Sequence, residues 1–146
     1  MTLEAWLESM NPLSTFGPDF LEDAIRLIES LGLTIAETDY WLLGFCVQKV
    51  EQDIKNACNR SDVPEELYQV AKGLIAAEFL TVKKAQGAID GETLIFDPVL
   101  KELHEGDTKQ VFAVDTAMSG EARLEAFLAQ MRLGREQFIR FRRLQW

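Results

Sequence analysis

The chain has 146 residues, 47% of them hydrophobic, and sets 24 acidic against 15 basic side chains for a formal net charge of −9. Such a length supports one domain that buries on the order of 70% of its unfolded surface, and the apolar content is that of a globular protein, which excludes disorder throughout. The acidic balance disfavours a free-standing nucleic-acid binder, whose affinity comes from many cationic contacts to phosphates.

The first segment, Met1 to Asn11, carries Glu4 and Glu8 where a signal peptide carries basic residues. No apolar run approaches the roughly 18 to 20 residues that span a bilayer. The expectation is a protein made in the cytosol and kept there, or released by lysis, with no membrane partner. From Asp19 the residues Phe20, Ala24, Ile25, Leu27, Ile28 and Leu31 recur at three- and four-residue steps, and Gly32 is a stop signal, which predicts a short amphipathic helix over 19–32.

Thr38 opens a stronger helix over 38–59, with Leu43, Cys46, Val47, Val50, Ile54, Ala57 and Cys58 on one stripe. Tyr40, Trp41 and Phe45 make its first turns unusually aromatic. Twelve positions separate Cys46 from Cys58, which is about 18 Å along a helix and too far for a disulfide. Both read as small buried apolar residues in a protein of a reducing compartment.

A break from Arg60 to Val63 leads to Pro64, which suits a first helical position because it has no N–H to satisfy. Asp62 and Glu65 resemble a capping pair. Leu67, Val70, Ala71, Leu74, Ile75 and Val82 carry a third helix over 64–84, and the short connection predicts an antiparallel core hairpin with the second.

Periodicity weakens over 87–118, where Gly87, Gly91, Pro98 and Gly106 punctuate two β-like runs, Thr93 to Phe96 and Val111 to Val114, around a polar turn at Glu105-Gly106-Asp107. This stretch is either an extended arm or loop that pairs with another subunit, or a hairpin folded on its own domain. A final helix over 120–144 carries Leu124, Phe127, Leu128, Met131, Phe138, Ile139 and Phe141 as its apolar side.

Charge is distributed unevenly. Residues 132–146 hold Arg132, Arg135, Arg140, Arg142 and Arg143 against Glu136 alone, while the rest of the chain has 10 basic and 23 acidic groups. Aromatic and arginine side chains next to one another are the usual anchors of desolvated interfaces, so Phe138, Arg140, Phe141, Arg142, Arg143, Leu144 and Trp146 are candidate contact residues. The competing reading packs the phenylalanines into the core and leaves the arginines solvated or set against the helix C-terminal dipole.

Chemistry-bearing patterns are missing. His104 precedes Glu105 and Asp107 in a turn, and one imidazole with scattered carboxylates makes a poor metal site. No HExxH, GxSxG, Walker or dinucleotide glycine pattern occurs. The expectation is a protein that is not an enzyme and holds no cofactor or metal.

In their order these features resemble the head-to-tail connector, or adaptor, proteins of tailed bacteriophages and prophages. The likeness rests on the Thr-x-Asp-x-x-Leu start of the second helix (Thr38, Asp39, Leu42, Leu43) and the Asn-x-x-x-Val-Pro-x-x-Leu junction (Asn59, Val63, Pro64, Leu67). It continues through Ala77-Glu78-Phe79-Leu80, the turn Glu105-Gly106-Asp107-Thr108, and the terminal Phe141-Arg142-Arg143-Leu144-Gln145-Trp146. Met1 to Asp19 has no part in it.

The resemblance implies a mainly α structural subunit, a single connector domain over 1–146: a small helical bundle on an antiparallel hairpin, with an extended β-like arm and a C-terminal helix. It implies a homo-oligomeric ring, typically of twelve copies, under the portal protein and above the tail or its stopper (tail-completion) protein. Such a ring sits in the neck of the virion, after assembly in the host cytoplasm, and DNA passes through it on ejection without sequence-specific binding. By likeness, Glu105, Gly106, Asp107 and Thr108, with the Arg140 to Trp146 end, contact the portal or a neighbouring subunit. An acidic conduit wall would discourage DNA from sticking.

The alternative is a helical DNA-binding protein of the phage packaging machinery, with the second and third helices as a helix-turn-helix and the arginine end on phosphate. Against it, the third helix offers only Lys72, Lys83 and Lys84 for groove contacts.

Overall fold

A computed structural model describes residues 2–87 and 120–144. Within them the protein is mainly helical: α1 Leu3–Met10, α2 Pro18–Ser30, α3 Tyr40–Cys58, α4 Tyr68–Ala85 and α5 Gly120–Leu133, with 3-10 turns at Glu37–Asp39, Glu65–Leu67 and Gly134–Phe141. No strand occurs among the described residues. The β-like arm of 87–118, beyond Gly87, lies outside them, and so do His104, the turn Glu105-Gly106-Asp107-Thr108 and Trp146.

Local chemistry sets the helix limits. Pro18 occupies the first turn of α2, where a missing N–H costs nothing, and Gly32 at φ 91° turns the chain away beyond its end. Asn59 ends α3 in the left-handed region at φ 52°, a conformation that asparagine tolerates better than most residues. Pro64 is extended, at φ −60° and ψ 140°, and precedes the turn Glu65–Leu67 instead of being the first helical residue. Asp62 makes no cap there, because its carboxylate is held by Arg60 at 3.0 and 3.1 Å.

The N-terminal segment contributes a helix that the sequence pattern does not announce. Thr2 caps α1 by accepting the Ala5 N–H at 3.2 Å, and Trp6 and Met10, one turn apart, are buried. Ala57, expected on the buried stripe of α3, is exposed.

The expected helix over 120–144 is two elements, α5 and the 3-10 turn that follows it, with Arg142 extended at φ −70° and ψ 128°. The three-residue repeat of a 3-10 helix puts Arg135, Phe138 and Phe141 on one side. Phe138 is buried and Phe141 is partly buried against the core. Ile139, expected on the apolar side, is 77% exposed instead, because a continuous α-helix would align it with Leu128 and the change to a tighter turn after Leu133 breaks that alignment.

Two hydrophobic clusters hold these elements. The larger joins α1 to α4 and includes Trp6, Phe20, Val47, Leu67, Phe79 and Phe138. The smaller joins the end of α2 to α4 and α5 through Leu31, Ala77, Leu80, Leu124, Phe127 and Met131. α4 packs against α2, α3 and α5, and eight of its residues are buried, which is why its apolar positions run round most of its circumference.

Candidate functional site

The arginine-rich end is fixed to the body through its backbone. Arg143 N donates to Cys58 O at 2.7 Å, and Asn59 Nδ2 donates to Arg143 O at 2.9 Å. The Cys58 thiol donates to Phe138 O at 3.4 Å. These bonds satisfy carbonyl and side-chain groups at the end of α3.

The side chains of this end divide by partner. Arg132 reaches Thr81 Oγ1 at 2.9 Å, and Arg135 lies 3.7 Å from Asp53 and 3.6 Å from Glu78. Those two arginines belong to the body. Arg140, Arg142 and Arg143 are exposed and make no ion pair with the described residues, although the Arg143 charge, after Arg60, helps hold the Asp62 carboxyl below its ordinary value. Leu144 stands 71% exposed beside them. Of the expected contact residues, Phe138 is therefore core, Phe141 is partly buried, and Arg140, Arg142, Arg143 and Leu144 are available to a partner.

A second surface lies at the opposite end of α3. Trp41 is 78% exposed and stacks on Phe45, one turn on, with ring centroids 6.0 Å apart and planes 13° from parallel. They border a groove of about 410 Å³ between α1 and α3 that Trp6, Met10, Leu13, Tyr40 and Gly44 also line. Gly44 sets the depth of this crossing, since a Cβ there would meet Met10 Sδ at 3.3 Å and Trp6 Nε1 at 3.4 Å. The aromatic start of α3 is plain in the sequence. The groove is not, because it needs α1.

The loop between α1 and α2 is clamped by a buried carboxylate. Glu51 accepts from Ser14 Oγ at 2.8 Å and from Thr15 N at 2.9 Å, as well as from the Thr15 hydroxyl, with Lys55 Nζ 3.2 Å away. Burial alone would push Glu51 up, but the Thr15, Ser14 and Lys55 contacts outweigh it and its carboxyl stays below the ordinary 4.5. Asp39 repeats the pattern: burial opposes ionisation, while Lys83 at 2.8 Å and the Ala36 N–H at 2.9 Å favour it, and the net displacement is downward. Glu51 lines a polar cleft of about 400 Å³ with Ser14, Thr15 and Lys55, but all three are already engaged with its carboxylate, and Asp39 is held by Lys83 and the Ala36 N–H, so both read as structural.

Other reactive side chains are tied down. Burial, reinforced by the nearby Glu78 charge against Lys49, pushes the Cys46 thiol up to about 12, and burial also raises Cys58. Neither resembles an activated thiolate. Lys72 pairs with Asp23, Lys83 with Asp39, and Lys84 with Glu121 and Glu125, so the cations of α4 are neutralised within the fold. No group of three or more histidine, cysteine or acidic residues that could hold a metal occurs among the described residues, and none of their helices is long and apolar enough to cross a membrane.

No protein-family model, curated protein or solved structure matches the chain.

Proposed function

We propose that this chain is the subunit of a head-to-tail connector, a structural ring under the portal that joins a phage capsid to its tail and continues the DNA channel. The observation that carries the reading is the terminal element. Arg140, Arg142, Arg143 and Leu144 are exposed on an acidic subunit, while bonds from the Arg143 backbone to Cys58 and Asn59 hold the segment that bears them. A contact element of this kind presents charge and apolar area at little cost in ordering, which is what repeated docking onto a portal or a neighbouring subunit needs.

The finer architecture of the reading is a bundle on an antiparallel pair formed by α3 and α4. Its support is the pairing of Asp39 with Lys83 and of Lys49 with Glu78, which matches the start of one helix to the end of the other. Against the helix-turn-helix of the packaging alternative, each lysine of α4 already has a carboxylate; the exposed arginines of the end serve either reading.

The test is the mass in solution, by light scattering on a sizing column, of the protein alone and mixed with portal protein. A portal-dependent ring supports the reading; a persistent monomer that ignores portal and binds duplex DNA in a salt-sensitive way overturns it. The double change Arg142→Glu, Arg143→Glu removes no backbone bond of the end, so it should leave the subunit folded and weaken docking. Normal incorporation of that variant into particles would count against the role given to the end.

A further inference from the structure

Among the described residues, large apolar side chains stand exposed in two places: Leu13, Trp41 and Phe45 at the α1–α3 groove, and Ile139 and Leu144 at the arginine-rich end. α3 separates them. Trp41 and Cys58, to whose carbonyl the end is bonded, are seventeen residues apart on one helix, about 25 Å at 1.5 Å per residue. The two patches therefore cannot meet within one subunit.

Their chemistries are complementary. Glu37 is the one charged residue among those lining the groove, whose walls otherwise combine aromatic and aliphatic side chains with the polar Ser9, Thr38 and Gln48. The end offers two aliphatic side chains among three arginines that have no ion pair with the described residues. Guanidinium groups stack on open indole faces, and the stacked, exposed Trp41 and Phe45 offer such a face. Groove against groove would instead bring two acidic subunits together with no cation between them.

We propose that the α1–α3 groove seats the 139–144 end of a second copy of this chain, with Ile139 and Leu144 as apolar anchors and the arginines over Trp41. Donor and acceptor are different surfaces, so the contact is heterologous and repeats from subunit to subunit, closing into a ring when the rotation allows. The inference deepens the connector reading by naming the partner of the terminal element, and it rests on that reading only for closure of the ring.

The test uses the full chain and two variants. Trp41→Ala with Phe45→Ala removes the acceptor; Leu144→Asp with Arg142→Glu removes the donor. All four positions are exposed, so both variants should keep the wild-type circular dichroism. Each alone should associate at least about 30-fold more weakly than wild type in sedimentation equilibrium, the effect of losing an interface hot spot. Mixed together they should form a one-to-one dimer, because the donor-deficient copy keeps its groove and the groove-deficient copy keeps its end.

Wild-type-like association of either variant, alone or on portal, overturns the contact, as does a mixture that stays monomeric when wild type associates. A portal-templated ring that forms normally from the groove variant overturns this contact and leaves the connector reading intact. Dimers in the mixture from a protein that ignores portal do the reverse. A wild type that is monomeric in both settings removes both.

Discussion

The Glu51 clamp predicts a destabilisation whose size depends on pH. Glu51→Gln keeps the shape of the side chain but replaces one acceptor oxygen with an NH2 group. Either the Ser14 hydroxyl must turn round to accept, or the two Thr15 donors lose their oxygen, and Lys55 loses its counter-charge in both cases. Weakening a set of hydrogen bonds to a buried charged group costs about 2 kcal/mol. With a urea dependence of about 2 kcal/mol per molar for a domain of this size, the unfolding midpoint should fall by about 1 M at pH 7.

The folded carboxyl of Glu51 lies below its ordinary 4.5, so its stabilisation is complete above that value and is lost as pH falls through the lower, folded value. Glutamine contributes none of it. The gap between wild type and variant should therefore narrow between pH 5 and pH 3, while the similar contribution of Asp39 cancels because both proteins have it. Urea melts followed by circular dichroism at pH 7 and pH 3 measure this. A midpoint shift below about 0.3 M at pH 7, or an equal shift at both pH values, would refute the reasoning.

Gly134→Ala places a methyl 2.6 Å from Val70 Cγ1, and because a valine is stiff at χ1 the overlap should cost about 1 to 3 kcal/mol. Val70→Ala should recover most of that in a double-mutant cycle read by thermal unfolding. Cys46 and Cys58 are buried with raised thiol values, so a disulfide-exchange reagent should leave both unreacted in the folded protein and react with two thiols in urea; rapid modification of the native protein would contradict the packing.

α2 and α3 were legible because apolar residues recur at helical spacing and a stop follows each, Gly32 after α2 and Asn59 after α3. α4 was legible from its apolar period alone, and it starts at Tyr68, later than the sequence suggests, because Pro64 and Asp62 do not open it. α1 was hidden because its eight residues bury only Trp6 and Met10, too few to establish a period. The turn at Gly134–Phe141 was misread because a wheel at about 100° per residue puts Ile139 within about 20° of Leu128 on the apolar side, and nothing in the local sequence declares a tighter helix. The arginine-rich end was visible as composition, but its anchoring to Cys58 and Asn59 spans 80 and 84 residues. Glu51 gave no signal at all, since an acid on a helix reads as solvated until the loop that covers it is placed.

The division of the core has a dynamic consequence. α5 is held chiefly by the smaller cluster, through Leu31, Ala77 and Leu80, while of the 120–144 segment only Phe138 is buried in the larger one, with Phe141 partly packed against it. Opening of that segment would withdraw one buried phenylalanine from the larger cluster and leave α1 to α4 packed on one another, so it forms a natural unit of partial unfolding. Amide protons of α5 should then exchange through an opening of lower free energy than those in the middle of α3 and α4. The surface that bears the arginines would come and go with that unit, and a partner that grips it would also raise the protection of α5.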